Sequence, residues 1–389
     1  MLYDAIIVGA GPAGSVAAMT LARAGRPVLL VDRDDFPRDK TCGDLIGSQA
    51  LRLAYTLGVP RDALADFPPL RGFALHTADH RIKQSQPHAA DGLEARVIPR
   101  VVFDALLVRQ ALAAGATFRR LAVTTVLRNA GSMVTGVTGM VNGTSVTCTG
   151  RVVIGADGWG SIVARSMVPQ IRAPTSPRRV GIATRAYVTC PAGNDGRMHV
   201  YFTRETQPGY GWIFPIDGQH ANVGLGMLVH TRNSGNRAHL HALFERFLYA
   251  PDSPARPLLD GAAAITGART WPLALGWQPR QRVADGALLV GDAAALVSPL
   301  TGAGIFNAMR SGLLAAHAVL AALHTGDCSA VSLASYERWC RRVLRPRLRL
   351  EEGAQRLLAA PARMDLFSAM LRALPGLDYW STKLMFNLG

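Results

Sequence analysis

Three features of this 389-residue sequence predict an α/β fold. An apolar strand, a glycine turn and a helix follow one another at the N-terminus and again near residues 287–323. Strand-like alternation fills residues 175–230 between them, and helical periodicity runs beyond Ser332. Two ends of one Rossmann-like domain thus enclose a β-rich domain, and a helical C-terminal region follows. The boundaries read as 1–75, 95–170 and 280–325 for the first domain, 76–94 and 171–279 for the β-rich one, and 326–389 for the helical region.

The N-terminal unit is the strongest element. Ala5-Ile6-Ile7-Val8 reads as a buried strand and leads into Gly9-Ala10-Gly11-Pro12-Ala13-Gly14. A helical segment then reaches Pro27-Val28-Leu29-Leu30-Val31, which ends in Asp32 and Arg33. Gly9 permits the tight turn, Gly11 lets backbone approach a pyrophosphate, and Gly14 lets helix and strand pack closely. Helix N–H groups then face the anion, and Asp32, close to the expected spacing of about 20 residues, accepts a ribose hydroxyl. A merely structural glycine turn would not need strand, helix and acid in this order.

The remaining elements follow in turn. Residues 34–50 are polar and loop-like, with Pro37 and Gly43, and a helical pattern runs from Ser48 to about Gly58. His76 to Ile82 has weak strand character. Arg100 to Gly115 is a helix, with Phe103, Leu106, Leu107, Ala111 and Leu112 at helical spacing. Ala122–Val126, Met133–Val141 and Ser145–Cys148 alternate between glycine-containing turns as a β-meander, and Val152–Ala156 is a separate buried strand. Residues 175–230 suggest an antiparallel sheet, Ala287–Val290 a further buried strand, and Leu300–Leu323 a long packed helix.

Composition narrows the classes. Hydrophobic residues make up 49% and charged ones 18%, as in an apolar globular protein. A strand begins by residue 5, so no signal peptide is read, and no uncharged apolar run of about 18 residues indicates a membrane span. The five cysteines, at 42, 148, 190, 328 and 340, offer no disulfide framework and no zinc spacing, which suits a reducing cytoplasm. The net charge of +15 fits attraction to anionic lipid or an acidic substrate, or a solvated arginine-rich surface. No recognition motif points to nucleic acid. His76, His80 and His88 share a segment but lack a metal-ligand pattern, so no metal is expected.

Two further motifs have the same physical form. In Gly155-Ala156-Asp157-Gly158-Trp159-Gly160-Ser161, a strand delivers an aspartate into a glycine turn before a helix. In Gly291-Asp292-Ala293-Ala294, followed by Pro299 and Gly302-Ala303-Gly304, a second strand does so before the long helix. Alone, each reads equally as an Asp turn with a helix cap. With the N-terminal fingerprint they resemble the FAD-dependent oxidoreductases of the para-hydroxybenzoate hydroxylase fold. That resemblance implies a Rossmann-like FAD-binding domain, with FAD rather than NAD in the first site. It implies cofactor contacts from Gly9, Gly11, Ala13, Gly14, Asp32, Arg33, Cys42, Gly43, Asp157, Gly158 and Gly291. It assigns Asp292 to the ribityl chain, Pro299 and Gly302 to Gly304 to the neighbourhood of the isoalloxazine, and Arg100 to the FAD phosphates.

Phe36-Pro37-Arg38-Asp39-Lys40-Thr41-Cys42-Gly43-Asp44 and Gly209-Tyr210-Gly211-Trp212-Ile213-Phe214-Pro215, followed by Val223-Gly224-Leu225-Gly226, are similar to the geranylgeranyl reductase family. These flavoproteins saturate isoprenoid carbon–carbon double bonds. The resemblance covers most of the first 320 residues and stops in the last 60, where no family motif appears. Flavin halogenases fit less well: their motif carries two tryptophans, whereas Tyr210 and Phe214 flank the single Trp212, and no lysine matches theirs. The activity implied is reduction of a C=C bond of a small apolar, isoprenoid-like or natural-product substrate by hydride from flavin N5. NAD(P)H or another electron donor would serve as reductant. A monooxygenase, an oxidase or dehydrogenase acting on an aromatic or polyketide-type molecule, and a non-catalytic prenyl-binding carrier are the competing classes.

Residue types suggest the catalytic candidates. Tyr210, Trp212 and Phe214 alternate along a strand, so they share a face and can hold an apolar substrate, or simply form sheet core. Cys42 lies near Arg38 and Lys40, cations that would favour thiolate, and it could pass a proton to the substrate or only shape the pocket. In the tail, Arg341, Arg342, Arg345, Arg347 and Arg349 punctuate Val343, Leu344, Leu348 and Leu350, and Leu366-Phe367, Met370-Leu371, Leu374, Tyr379-Trp380 and Leu384-Met385-Phe386 follow. That pattern suits a helix docked on the core with solvated arginines, and also an interfacial helix giving peripheral contact at the inner membrane face.

Overall fold

A computed structural model describes residues 2–77, 81–85, 95–167, 179–190, 195–207, 209–229, 237–278 and 280–373. His80, His88 and the tail positions from Leu374 onward, named above, lie outside them. The architecture is α/β, as the sequence predicts. An eight-stranded sheet is ordered Val283–Ala284, Ala287–Leu289, Thr144–Gly155, Leu2–Val8, Val28–Asp32 and Thr117–Arg120, with Ala122–Arg128 and Val134–Val141 joined through Thr144–Gly155. Leu2–Val8 pairs in parallel with both Val28–Asp32 and Thr144–Gly155, which buries Ala5, Ile6 and Ile7 completely. Such near-continuous apolar runs are what a doubly covered parallel sheet requires.

Helices Pro12–Arg23 and Ile305–Thr325 cross closely above this sheet. A Cβ at Gly312 would lie 2.2 Å from the carbonyl oxygen of Ala13, so only glycine allows the approach. Ile305–Thr325 is the one described helix long and apolar enough to cross a membrane, yet 61% of its apolar window is buried inside the fold. It starts later than the expected Leu300. The chain between Ser298 and Gly304 is a turn, with Ser298 Oγ accepting from Thr301 N at 3.1 Å and Gly302 at φ +67. A second correction concerns Ser145–Cys148 and Val152–Ala156, which form one strand, Thr144–Gly155. Its first half pairs antiparallel with Val134–Val141 and its second half parallel with Leu2–Val8. A Cβ at Gly150 would sit 2.9 Å from Ile6, so glycine lets the strand change partners there.

The second sheet has seven strands, ordered Arg269–Ala274, Val180–Thr189, His220–Leu228, Tyr210–Pro215, Arg197–Tyr201, Gly72–His76 and Arg81–Ser85. It is antiparallel except where Arg197–Tyr201 meets Gly72–His76. Because Gly72–His76 belongs here, we place the border between the two parts at about residue 72. Helix Arg237–Tyr249 covers one face through Leu240, Phe244 and Phe247. The other face looks toward the glycine loops of the first sheet. Helices Ala330–Val343, Arg345–Leu358 and Pro361–Ala373 complete the described chain. Ser329 caps the first of them, its side chain accepting from Ser332 N.

Candidate active site

Between the two sheets lies a cavity of about 790 Å³, within the usual range of small-molecule sites. Of the positions named from sequence, Gly9, Gly11, Ala13, Asp32, Arg33, Cys42, Gly43, Arg100, Asp157, Gly158, Tyr210, Trp212, Phe214, Gly291, Asp292, Pro299, Gly302, Ala303 and Gly304 line it. Gly14 lies behind the wall, where a Cβ would stand 1.8 Å from the Gly9 carbonyl oxygen.

The glycine loop is built by steric demand. Gly9 has φ +103, and a Cβ there would meet Ala156 O at 2.3 Å. Gly11 is open toward the cavity, with Arg38 Nη2 at 3.7 Å and Arg100 Nη2 at 4.0 Å from the place of its Cβ. Asp32 accepts from Ala10 N at 2.8 Å, which ties the strand end to the loop it follows. Arg100 donates twice to Asp104, at 2.6 and 2.7 Å, and Arg38 adds a contact at 3.1 Å. Burial works against the Arg100 charge, but Asp104 holds its pKa above the ordinary value. Asp157 accepts from Ile162 N at 2.7 Å and caps the following helix, while burial raises its pKa. A loop that admits backbone approach, a helix N-terminus at Pro12, paired arginines and the Asp292 turn together suit a bound dinucleotide.

Cys42 requires a correction. Burial pushes its thiol above the ordinary value, against the pull of Arg100. The two nearby cations do not act on it as expected: Arg38 turns to Asp104, and Lys40 lies 3.7 Å from Asp292 with its ammonium 5.3 Å from the Trp271 ring centre. Burial also lowers the Lys40 pKa. The remaining four cysteines are buried.

On the second sheet, strand register composes the facing wall in rows. One row is Arg269, Arg185, Gly224 and Trp212; the next is Trp271, Ala183, Gly226 and Tyr210; a third is Leu273, Gly181 and Leu228. A Cβ at Gly224 would lie 2.2 Å from Trp212 Cζ2, so the indole lies flat over that glycine. In the middle row, two small residues separate Trp271 from Tyr210 across three strand spacings, or about 14 Å. This leaves an apolar slot with aromatic ends, continued by Leu228, Leu273 and Leu275. The Tyr210 hydroxyl donates to Thr301 O and burial raises its pKa. Trp212 and Phe214 stack at 6.0 Å and also belong to a core cluster, so they line the cavity with one edge and pack with the other.

Sequence reasoning missed Trp271, Arg185, Tyr187, Asn222 and Gln355. Arg185 is fully buried, stacks on Tyr187 at 4.1 Å and pairs with Asp39. Gln355 lines the cavity from helix Arg345–Leu358 and donates to Pro299 O, so the tail reaches the site. Alternation around Trp271 was the available signal for that residue; Arg185, Tyr187 and Asn222 show only through register, and Gln355 only through the docking of its helix.

The fold and this cavity define a flavin-dependent oxidoreductase, and residues 2–349 match the model of the FAD binding domain. The chain is 32% identical over 346 residues to a digeranylgeranylglycerophospholipid reductase of Methanococcoides burtonii, covering 86% of this chain and 79% of that protein. It is 30% identical over 328 residues to a menaquinone reductase of Mycobacterium tuberculosis, covering 80% and 75%. A geranylgeranyl bacteriochlorophyll reductase-like protein from Thermoplasma acidophilum shares the fold at TM-score 0.83 and 24% identity, over 94% of this chain and 89% of the other. The chain belongs to the geranylgeranyl reductase family of FAD-dependent oxidoreductases.

Proposed function

We propose that this enzyme reduces a carbon–carbon double bond of an apolar, isoprenoid-like molecule lying in the slot between Trp271 and Tyr210. That slot is the observation that carries the reading: small residues flanked by aromatic rings and leucines suit an oily chain. FAD, when bound, supplies the hydride from N5. Gly9, Gly11, Asp32, Arg100, Asp292 and the Gly302–Gly304 turn would hold it. Tyr210, Trp212 and Phe214 orient the substrate, and Tyr210 ties their strand to the Thr301 turn. Cys42, kept as a thiol by burial, has the protonation state a proton donor requires. NAD(P)H or a protein electron carrier is the reductant we infer.

We also place the enzyme on the cytoplasmic side, touching a membrane through its tail. Leu350, Leu357, Leu366 and Met370 are exposed, and Arg342 and Arg345, on the same run of helices, have no ion pair among the described residues. An oily substrate would then enter close to where Gln355 meets the cavity.

The test is product mass after anaerobic turnover of the FAD-loaded enzyme, kept reduced with dithionite, on a geranylgeranyl phospholipid or a menaquinone. Gain of two hydrogens is expected. Gain of one oxygen, loss of two hydrogens, or turnover that needs O₂ overturns the reading.

A further inference from the structure

Asn222 is fully buried in the middle of the second sheet, and its amide serves three groups. Its Oδ1 accepts from Trp212 Nε1 at 2.9 Å. Its Nδ2 donates to the Cys42 carbonyl oxygen at 2.7 Å and to Asp44 Oδ2 at 2.8 Å. Register places Asn222 opposite both Tyr187 and Phe214, in the row beyond Trp212. The Tyr187 hydroxyl donates to the same Asp44 oxygen at 2.6 Å. Asp44 stands at φ +61 and gives its N–H to Cys42 Sγ at 3.3 Å. The loop carrying the thiol comes from the first domain, and the indole comes from the second; one side chain fastens both.

We propose that Asn222 is a positioning residue, which sets Cys42 and Trp212 against each other across the cavity with Tyr187 and Asp44 as its supports. An asparagine is needed because a side chain there must accept from an indole N–H while donating to a carbonyl and a carboxylate. An apolar residue of the same size would leave the indole N–H and the Cys42 carbonyl without a partner and Asp44 with Tyr187 alone. The assignment rests on the proposed role of Cys42 as proton donor, but the loop's anchorage can be measured without any substrate.

The test uses FAD-loaded enzyme with Asn222→Ala and Asn222→Asp. Carboxamidomethylation of Cys42 by iodoacetamide, followed by peptide mass, reads the freedom of the loop. Steady-state turnover of a geranylgeranyl phospholipid reads the chemistry. Asn222→Ala should retain FAD, react at Cys42 about tenfold faster, and lose about tenfold in kcat with KM within twofold. Asn222→Asp keeps an acceptor for the Trp212 indole but offers no donor to the Cys42 carbonyl, so Cys42 should again react about tenfold faster than in wild type. Unchanged alkylation in either variant, or parallel loss of FAD and kcat, overturns the proposal. Should Asn222→Ala fail to fold, the alkylation rate of Asn222→Asp decides. If wild type turns over no prenyl lipid while the alkylation difference appears, the substrate reading fails and the anchorage stands.

Discussion

Asp44→Asn separates the electrostatics of the Cys42 loop from its geometry. Burial pushes the Asp44 carboxyl from 3.8 up to about 6, against the bonds from Tyr187 and Asn222 and the charge of Arg185. In the unfolded chain the proton leaves near 3.8, so the folded protein binds more protons between about pH 4 and 6. Stability from this residue is therefore full below about pH 4, falls as pH rises to about 6, and is flat beyond. Two pKa units at roughly 1.4 kcal/mol each give about 3 kcal/mol. Asparagine removes the titration, tolerates the φ of +61, and still accepts from Tyr187. Urea unfolding followed by tryptophan fluorescence, for both proteins between about pH 4 and 7, measures the difference. The stability of the variant relative to wild type should rise by about 3 kcal/mol across that range, whatever the offset at low pH. A difference that is flat, or that falls, refutes the assignment of a buried, reluctantly ionised carboxylate.

Four other outcomes follow from the same contacts. Gly224→Ala sets a methyl 2.2 Å from Trp212 Cζ2 and 2.5 Å from Thr184 O; it should cost about 1–3 kcal/mol and disturb the near-ultraviolet tryptophan dichroism. Gly11→Val, at an extended backbone facing open space, should melt near wild type yet bind FAD about tenfold more weakly in a flavin-fluorescence titration. Arg100→Leu leaves the fully buried Asp104 with Arg38 alone and should lower unfolding stability by about 3–5 kcal/mol in urea. For the tail, Leu350→Glu/Leu357→Glu should reduce flotation with anionic-lipid vesicles while leaving FAD content unchanged.

What the sequence revealed was what short spans encode. The Gly9–Gly14 turn, the Asp157 and Asp292 turns and the aromatic alternation at Tyr210, Trp212 and Phe214 each sit within a few residues. The slot does not: Trp271, Ala183, Gly226 and Tyr210 become neighbours only through the pairing of four strands. Asn222 gave no signal, because its partners Cys42 and Asp44 lie far away in sequence. The expectation of a Cys42 thiolate failed for a related reason. Arg38 and Lys40 are close along the chain, but their charges are directed to Asp104 and Asp292, and burial governs the thiol.

That pairing bears on the substrate as well. A net charge of +15 could have made the cavity a trap for anions. Around the slot, however, the cations meet acids of the chain itself: Arg100 and Arg38 at Asp104, Arg185 and Arg269 at Asp39, and Lys40 near Asp292. Local compensation weakens the field reaching a ligand, so the wall's remaining attraction is the apolar area of Trp271, Tyr210, Leu228, Leu273 and Leu275. Arg342 and Arg345, in contrast, are exposed on the helices that follow, away from the cavity wall. Charge is thus matched within the cavity wall and apolar area is left to the slot, which suits the proposed reduction of an oily substrate.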